Sequence, residues 1–116
     1  MRPFCVSLRE NEPERNAMNK DIVCAYLDAN CAGKKNVIPS QQLERELHMS
    51  GNEIRKQINA LRREAVPIAS NGSGYFYAEN AAEVYATIRS LQKKRRGLDA
   101  AIAGLEQALE KFGDQP

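Results

Sequence analysis

Residues 39–78 constrain the fold of this chain most, because two short helix patterns are followed there directly by a hairpin pattern. Two strands as short as these cannot form a stable sheet alone, so they have to pack on the helices. The sequence therefore predicts a mainly α fold with a small β-hairpin, an α+β class.

Each helix of this segment has a start signal. Ser40 stands before a run with two leucines four residues apart, and we expect its hydroxyl to cap the first helix. Ser50 and Glu53 have the spacing of a capping box, in which the hydroxyl bonds forward and the carboxylate bonds back. A second helix is therefore expected to begin near Gly51.

The second helix has two contrasting faces. Ile54, Ile58 and Leu61 recur at i, i+4 and i+7, which places three apolar side chains in one stripe toward a core. A second face suits the major groove of DNA, since Lys and Arg can reach phosphates or guanine and Asn can pair with adenine. A solvated surface helix carries the same residue types, so this face alone leaves both interpretations open. The residues that recur on this face are Asn52, Lys56, Asn59 and Arg63, and Arg55 and Arg62 flank it.

The hairpin pattern consists of a strand at 66–70, a turn at 71–74 and a second strand at 75–78. The pair Asn71-Gly72 is a strong turn signal, because both residues tolerate a positive φ. Pro67 has no backbone donor, so its strand is expected at an edge or with a late start.

A family resemblance rests on this region. Residues 54–70, which read Ile-Arg-Lys-Gln-Ile-Asn-Ala-Leu-Arg-Arg-Glu-Ala-Val-Pro-Ile-Ala-Ser, close on Gly74-Tyr75-Phe76. Together they resemble the winged helix-turn-helix DNA-binding domain of the biotin repressor family, over roughly residues 20–78. The resemblance implies that a recognition helix at 51–64 enters the major groove. It also implies that the hairpin turn at 71–74, the wing, lies on the DNA backbone or in the minor groove.

Two departures limit what the resemblance implies. The family often has glycine where this chain has Ala65, so the exit from the recognition helix is expected to differ in shape. The chain also ends well before a biotin-ligase domain could fit, so neither ligase chemistry nor biotin binding is carried over. The predicted DNA-contacting residues are Ser50, Asn52, Arg55, Lys56, Asn59, Arg62, Arg63, Asn71 and Ser73.

The residues before this region complete the expected domain. A first helix is predicted from Asn19 to about Cys31, with Asn19 or Asp21 near its cap. Val37-Ile38 is predicted as the short strand that completes the sheet of the wing. The mixed, polar residues 1–18 are expected to form an N-terminal arm.

A second strong pattern follows Asn80, which is a good helix N-cap. The pattern is a ladder of apolar residues at alternating steps of four and three, and it predicts a coiled-coil helix that pairs two copies of the chain. One alternative, a helix folded back on its own domain, is disfavoured by a length of roughly 48 Å. Another, a hairpin broken at Gly97, is disfavoured by the unbroken spacing. The residues predicted to make the dimer are Val84, Ile88, Leu91, Leu98, Ile102, Leu105, Leu109 and Phe112.

Arg95 takes one position of this ladder and interrupts its apolar character. A parallel pair would bring two Arg95 side chains together in a desolvated seam, so an antiparallel pair is favoured, with a centre near Leu98, midway along the ladder. The basic run 93–96 is either a phosphate contact or a solvated patch. The expected organisation is an arm at 1–18, a winged helix-turn-helix domain at 19–78, a coiled-coil dimerisation helix at 79–113 and a tail at 114–116.

Composition adds little to this interpretation. The net charge is only +2, which is weak evidence about partners. Cys5, Cys24 and Cys31 have no metal-like spacing and are expected to be reduced thiols of a cytoplasmic protein. His48 is the only histidine and is expected to have a capping or surface role.

Catalytic and membrane patterns are missing from the sequence. It has no phosphate-binding loop, no paired carboxylates and no nucleophile with a base, so we expect no enzyme, no metal and no cofactor. No segment has the length of a membrane span or signal peptide, and no small-molecule ligand is evident. The sequence thus predicts a homodimer that binds double-stranded DNA, a small bacterial or phage transcriptional regulator. The alternative is a winged-helix protein-interaction or assembly module, for example in phage replication or packaging, without sequence-specific DNA binding.

Overall fold

A computed structural model describes residues 14–113. The chain divides after Val84 into two compact units, the first with three helices and a two-stranded antiparallel hairpin, the second with most of a long helix. The predicted class, mainly α with a small β-hairpin and a long C-terminal helix, is confirmed. The elements are α1 (Glu14–Asn30), a 3₁₀ turn (Lys34–Asn36), α2 (Ser40–Leu47), α3 (Gly51–Arg63), β1 (Ile68–Asn71), β2 (Gly74–Tyr77), α4 (Ala81–Ala108) and a second 3₁₀ turn (Leu109–Phe112).

The helix α1 begins earlier than the sequence pattern indicated. It starts at Glu14, so residues 14–18 of the expected arm are helical, and the prediction of a cap at Asn19 or Asp21 is wrong. Its first turns contact α3 through hydrogen bonds between polar side chains, so they lack the apolar period by which a helix is recognised in sequence. The rest of the expected arm and the tail lie outside the described residues.

The helix α2 begins where predicted but is capped differently. Pro39 is its N-cap, and Ser40 lies inside the first turn, where its hydroxyl donates to the Glu44 carboxylate at 3.3 Å. The predicted capping by Ser40 is therefore wrong. His48 ends the helix in a left-handed conformation, with its backbone N–H bonded to the Glu44 carbonyl, which confirms its capping role.

The start of α3 follows the forward half of the predicted capping box. Ser50 is the N-cap, and its Oγ accepts the backbone N–H of Glu53 at 3.1 Å. The Glu53 carboxylate accepts hydrogen bonds from the side-chain amides of Asn19 and Gln57. This carboxylate therefore joins α3 to α1.

The core of the first unit lies among its helices and the hairpin. The helix α1 contacts α3 and β2, α2 contacts α3, and α3 contacts β1. The predicted stripe of Ile54, Ile58 and Leu61 is buried, as predicted. The other buried core residues are Val23, Cys24, Leu27, Cys31, Ile38, Leu43, Val66, Ile68, Ala69, Phe76, Tyr77 and Ala78.

The hairpin turn is tighter than expected. Asn71 pairs with Gly74, so only Gly72 and Ser73 connect the strands. Asn71 Oδ1 accepts the backbone N–H of Ser73 at 2.7 Å, and neither Asn71 nor Gly72 has a positive φ. Asn71 therefore favours the turn through its side chain. Gly74 has φ +144°, and a Cβ there would lie 2.0 Å from the carbonyl oxygen of Ile38. Both observations explain why this position requires glycine.

The strand β2 is hydrogen-bonded along both edges. On the edge away from β1, Ile38 and Tyr75 exchange both of their backbone hydrogen bonds at 2.9 Å. Tyr77 donates its N–H to the Cys31 carbonyl and accepts the N–H of Gly33, both at 2.8 Å. The short strand predicted before α2 is therefore reduced to the single bridging residue Ile38.

The end of α3 depends on Ala65, which lies in the left-handed region at φ +67°. The backbone N–H of Val66 bonds to the Leu61 carbonyl and that of Ala65 to the Arg62 carbonyl, both at 3.0 Å. Glycine adopts this conformation most easily, since it has no Cβ. Ala65 therefore adopts the left-handed conformation even though glycine is better suited to it.

Two of the cysteines belong to the core. Cys24 is buried and disulfide-bonded, so the prediction of a reduced thiol is wrong there. Cys31 is buried and free, and burial raises the pKa of its thiol. Cys5 lies outside the described residues. The cysteines therefore no longer support a cytoplasmic location.

The start of α4 is fixed by two side chains. Asn80 Oδ1 accepts the backbone N–H of Glu83 at 3.0 Å, which confirms the predicted N-cap. The Glu83 carboxylate accepts the backbone N–H of Glu79 at 2.7 Å and that of Lys34 at 2.9 Å. These hydrogen bonds, that from Glu79 first, lower the pKa of the Glu83 carboxyl.

We expect Glu83→Gln to destabilise the fold at neutral pH and to have little effect in acid. The lowered pKa means that the Glu83 charge stabilises the fold above the ordinary pKa of 4.5. This stabilisation is lost as the pH falls through the lowered pKa of the folded state. Urea unfolding of both proteins from about pH 7 to about pH 3 measures the difference. A difference that stays constant over this range would contradict the prediction, and Glu79→Gln is the control.

Candidate nucleic-acid interface

The helix α3 has a buried and an exposed face. Its buried residues are Ile54, Gln57, Ile58 and Leu61. The exposed face carries three cations and two amides, and it lies on the opposite side of the helix. The predicted groove-contacting residues are therefore open to solvent, with one exception described below. The exposed residues are Asn52, Arg55, Lys56, Asn59 and Arg63.

Two hydrogen bonds order side chains on this exposed face. Arg55 donates from Nη2 to Asn52 Oδ1. Lys56 donates from Nζ to Asn16 Oδ1 of α1 at 3.3 Å. Both contacts are exposed to solvent, so water or a ligand can replace them at small cost in free energy. Neither contact removes a positive charge from the surface.

Arg62 is the exception among the predicted contacts. Its side chain is half-buried, with Nε donating to the Ile68 carbonyl at 2.8 Å and Nη2 donating to Ser70 Oγ at 3.1 Å. Desolvation by burial lowers the pKa of this guanidinium from its ordinary value. Arg62 therefore attaches β1 to α3. Arg62 lies beside the buried Ile58 but at nearly the same angle as the exposed Arg55, so its position on the helix does not by itself indicate this contact.

The tip of the hairpin is exposed at Asn71, Gly72 and Ser73. Two of these residues were predicted to contact DNA as the wing. The contacts of Arg62 with β1 fix the strand that leads into this tip. The position of the hairpin tip relative to α3 is therefore set by packing inside the first unit.

A polar contact between α1 and α3 was not predicted from the sequence. Lys20 Nζ lies 2.5 Å from the Glu64 carboxylate, and the two side chains are only 2% and 15% exposed. Asn19 Nδ2 donates to Glu53 Oε2 at 3.2 Å in the same interface. These pairs join residues far apart in the chain, and no local spacing signals them. They hold α3 against α1.

The second unit carries most of the apolar ladder in one continuous helix, and Leu109 and Phe112 lie in the 3₁₀ turn that follows it. α4 runs through Gly97 without a break, so the hairpin alternative is wrong. Past Val84, every apolar position of the ladder is exposed, from 39% at Leu91 to 74% at Phe112. A row of large exposed apolar side chains on a helix marks an interaction surface. The full set is Ile88, Leu91, Leu98, Ile102, Leu105, Leu109 and Phe112.

Comparisons with known proteins do not assign this chain to a family. No family model matches it, and neither a curated protein nor a solved structure is detectably similar to it. Within residues 14–113, no group of three or more His, Cys, Asp and Glu side chains is placed to hold a metal ion. In the same range, no helix combines the length and the hydropathy of a membrane span. The functional argument therefore depends on the two surfaces described above.

Proposed function

We propose that this chain is a winged helix-turn-helix protein that binds duplex DNA, a small transcriptional regulator of a bacterium or phage. The helix α3 acts as the recognition helix and the hairpin as the wing. The observation that carries the proposal is the exposure of Arg55, Lys56 and Arg63 opposite the buried stripe of the same helix. A cytoplasmic location goes with this function.

The side chains of the exposed face divide by chemistry. Arg55, Lys56 and Arg63 neutralise phosphates or donate to guanine, and Asn59 pairs with adenine through its amide. The exposed N-terminus of α3 at Ser50 adds a partial positive charge, because the helix dipole ends there. The face therefore combines phosphate contacts with side chains that can distinguish bases.

The wing supplies a second contact in this proposal. Asn71 and Ser73 are small polar residues on an exposed two-residue turn, which suits approach to a phosphate backbone or a minor groove. The stem below them is fixed by Arg62, so the tip is presented without ordering a loop on binding. A preordered contact costs less conformational entropy.

Binding of the full chain to a random duplex tests the DNA proposal. We expect affinity, followed by fluorescence anisotropy, to fall roughly ten- to a hundred-fold between about 50 mM and about 200 mM salt, as for a few phosphate contacts. Selection of bound fragments from a random pool then asks whether bases are distinguished. No binding at the lowest salt would overturn the proposal and favour the assembly module.

The same proposal includes a homodimer formed through α4. The exposed ladder leaves large apolar side chains in water, and a second copy of the helix buries them with matching spacing. Two linked DNA-binding units also gain affinity through effective concentration. A contact between two copies of α4 forms the dimer without using the surface of α3.

We expect Leu98→Asp with Ile102→Asp to convert the dimer to a monomer. Each substitution removes about 1.5–3 kcal/mol of apolar burial per chain and puts a charge in the seam. Dissociation is therefore expected to be at least about a hundred-fold easier, measured by sedimentation equilibrium of the full chain. Ser90→Asp with Gln107→Asp places the same two charges outside the ladder and is the control. A variant that remains as dimeric as this control would contradict the role of the ladder.

A further inference from the structure

The exposed part of the ladder runs from Ile88 to Phe112, and its midpoint is Ala100. Val84, the first position of the ladder, is half-buried and packs against the core of the first unit. Val84 is therefore already covered, and the surface that needs a partner begins at Ile88.

An antiparallel pair centred on Ala100 uses all of this exposed surface. The ladder residues occupy two alternating positions of the heptad. In an antiparallel pair, each residue at one of these positions faces a partner residue at the other. No exposed position then lacks a facing residue, and the excluded position is the half-buried Val84. The facing pairs are Ile88 with Phe112, Leu91 with Leu109, Arg95 with Leu105, and Leu98 with Ile102.

The charges along α4 favour the same orientation. The half before Gly97 carries only cations among its charged residues after Glu83, whereas the half after it is mainly acidic. An antiparallel pair sets each basic half against an acidic half. A parallel pair sets like against like and brings two Arg95 side chains into one layer, although it allows Lys94 to meet the partner's Asp99. The charges are Arg89, Lys93, Lys94, Arg95 and Arg96 before the glycine, and Asp99, Glu106, Glu110 and Lys111 after it.

One ion pair follows from this register. Arg95 faces Leu105 of the partner subunit, so it lies level with the partner's Glu106. Glu106 flanks the ladder on the side toward which Arg95 is directed, by the angular spacing of the helix. Arg95, which interrupts the apolar ladder, therefore lies beside an opposite charge, and each dimer contains two such pairs.

The surface near the end of α4 has a matching hollow. A cavity of about 340 Å³ is lined by apolar side chains and by Glu106. The small side chain of Ala108 leaves room there, and in this register the hollow receives the partner's Leu91 and the stem of the partner's Arg95. Its lining residues are Ile102, Leu105, Glu106, Ala108, Leu109 and Phe112.

We infer that the partner of the exposed ladder is a second copy of α4 in antiparallel orientation, centred on Ala100, with Arg95 paired to the partner's Glu106. This inference rests on the homodimer proposed above and adds its orientation and register. Three observations specify the occupant: the spacing of the ladder, the opposite charges of its two halves, and the half-buried Val84, which the register leaves out.

Disulfide trapping of the full chain tests the orientation. Ile88→Cys and Phe112→Cys are prepared separately, one with a size tag, and oxidised mildly alone and as a mixture. We expect the mixture to form a cross-linked heterodimer, and neither variant alone to exceed the wild-type background from the native cysteines. In the inferred register the two Ile88 positions are about 36 Å apart, so a variant cannot link to itself. Cross-linking of each variant to itself, without a mixed product, would establish a parallel pair and overturn the inference.

A charge exchange tests the register. Arg95→Glu and Glu106→Arg are each expected to raise the dimer dissociation constant roughly three- to ten-fold, and the double variant to regain wild-type dissociation. A parallel pair gives no such recovery, because these residues then lie far apart. A wild-type chain that sediments as a monomer would overturn the homodimer itself, whereas a dimer without recovery would overturn only the register.

Discussion

Lys20→Met is expected to lower the free energy of unfolding by roughly 3 kcal/mol, because it breaks a buried ion pair. Methionine keeps the apolar stem of the side chain but removes the ammonium that lies 2.5 Å from the Glu64 carboxylate. The carboxylate, only 15% exposed, then loses an opposite charge where water does not replace it fully. Urea unfolding followed by circular dichroism measures the change as a lower midpoint at unchanged slope.

Two further variants separate the ion pair from packing. Lys20→Met with Glu64→Gln removes both charges and is expected to recover part of the lost stability, since the carboxylate that faced the lost ammonium is no longer charged. Lys35→Met removes an exposed lysine and is expected to change stability by less than about 0.5 kcal/mol. If Lys20→Met behaves like Lys35→Met, the ion pair does not stabilise the fold.

The second large effect concerns DNA. The triple variant Arg55→Ala, Lys56→Ala and Arg63→Ala is expected to bind a random duplex at least about a hundred-fold more weakly at low salt. If each cation contacts one phosphate, the slope of log affinity against log salt falls by about 2.7. These side chains are exposed and lie outside the core, so circular dichroism and the unfolding midpoint are expected to change little.

A control variant with the same net charge distinguishes contacts made by the exposed face of α3 from nonspecific electrostatic attraction between the whole protein and DNA. Lys35→Ala, Arg89→Ala and Lys111→Ala remove three exposed cations outside α3. We expect this variant to retain most of the affinity and of the salt dependence. An equal loss in both triple variants would show that α3 is not the binding surface, and full binding by the α3 variant would contradict the proposed function.

Local signals in the sequence were sufficient for α3, the hairpin and α4. The stripe of Ile54, Ile58 and Leu61, the Ser50 cap and the Asn80 cap depend on residues within a few positions of each other. Such signals act through one helical turn and can be seen in the sequence. The exposed ladder of α4 is visible for the same reason.

The features that were missed depend on residues distant in the chain. The early start of α1 is supported by polar contacts with α3, and Lys20 meets Glu64 across 44 positions. Arg62 flanks the exposed face of α3, and its angle on the helix does not show that it reaches the Ile68 carbonyl. Periodicity reports the direction in which a side chain points, but not the atom that it meets there.

The contact of Arg62 with Ile68 has a consequence for solubility. Ile68 pairs with Tyr77, and the carbonyl that Arg62 binds points away from β2, on the outer side of β1. An open strand edge is a template on which other chains can add strands and aggregate. The Arg62 guanidinium occupies this edge at Ile68, and β2 is bonded on both sides. The hairpin therefore resists strand addition without needing a third full strand.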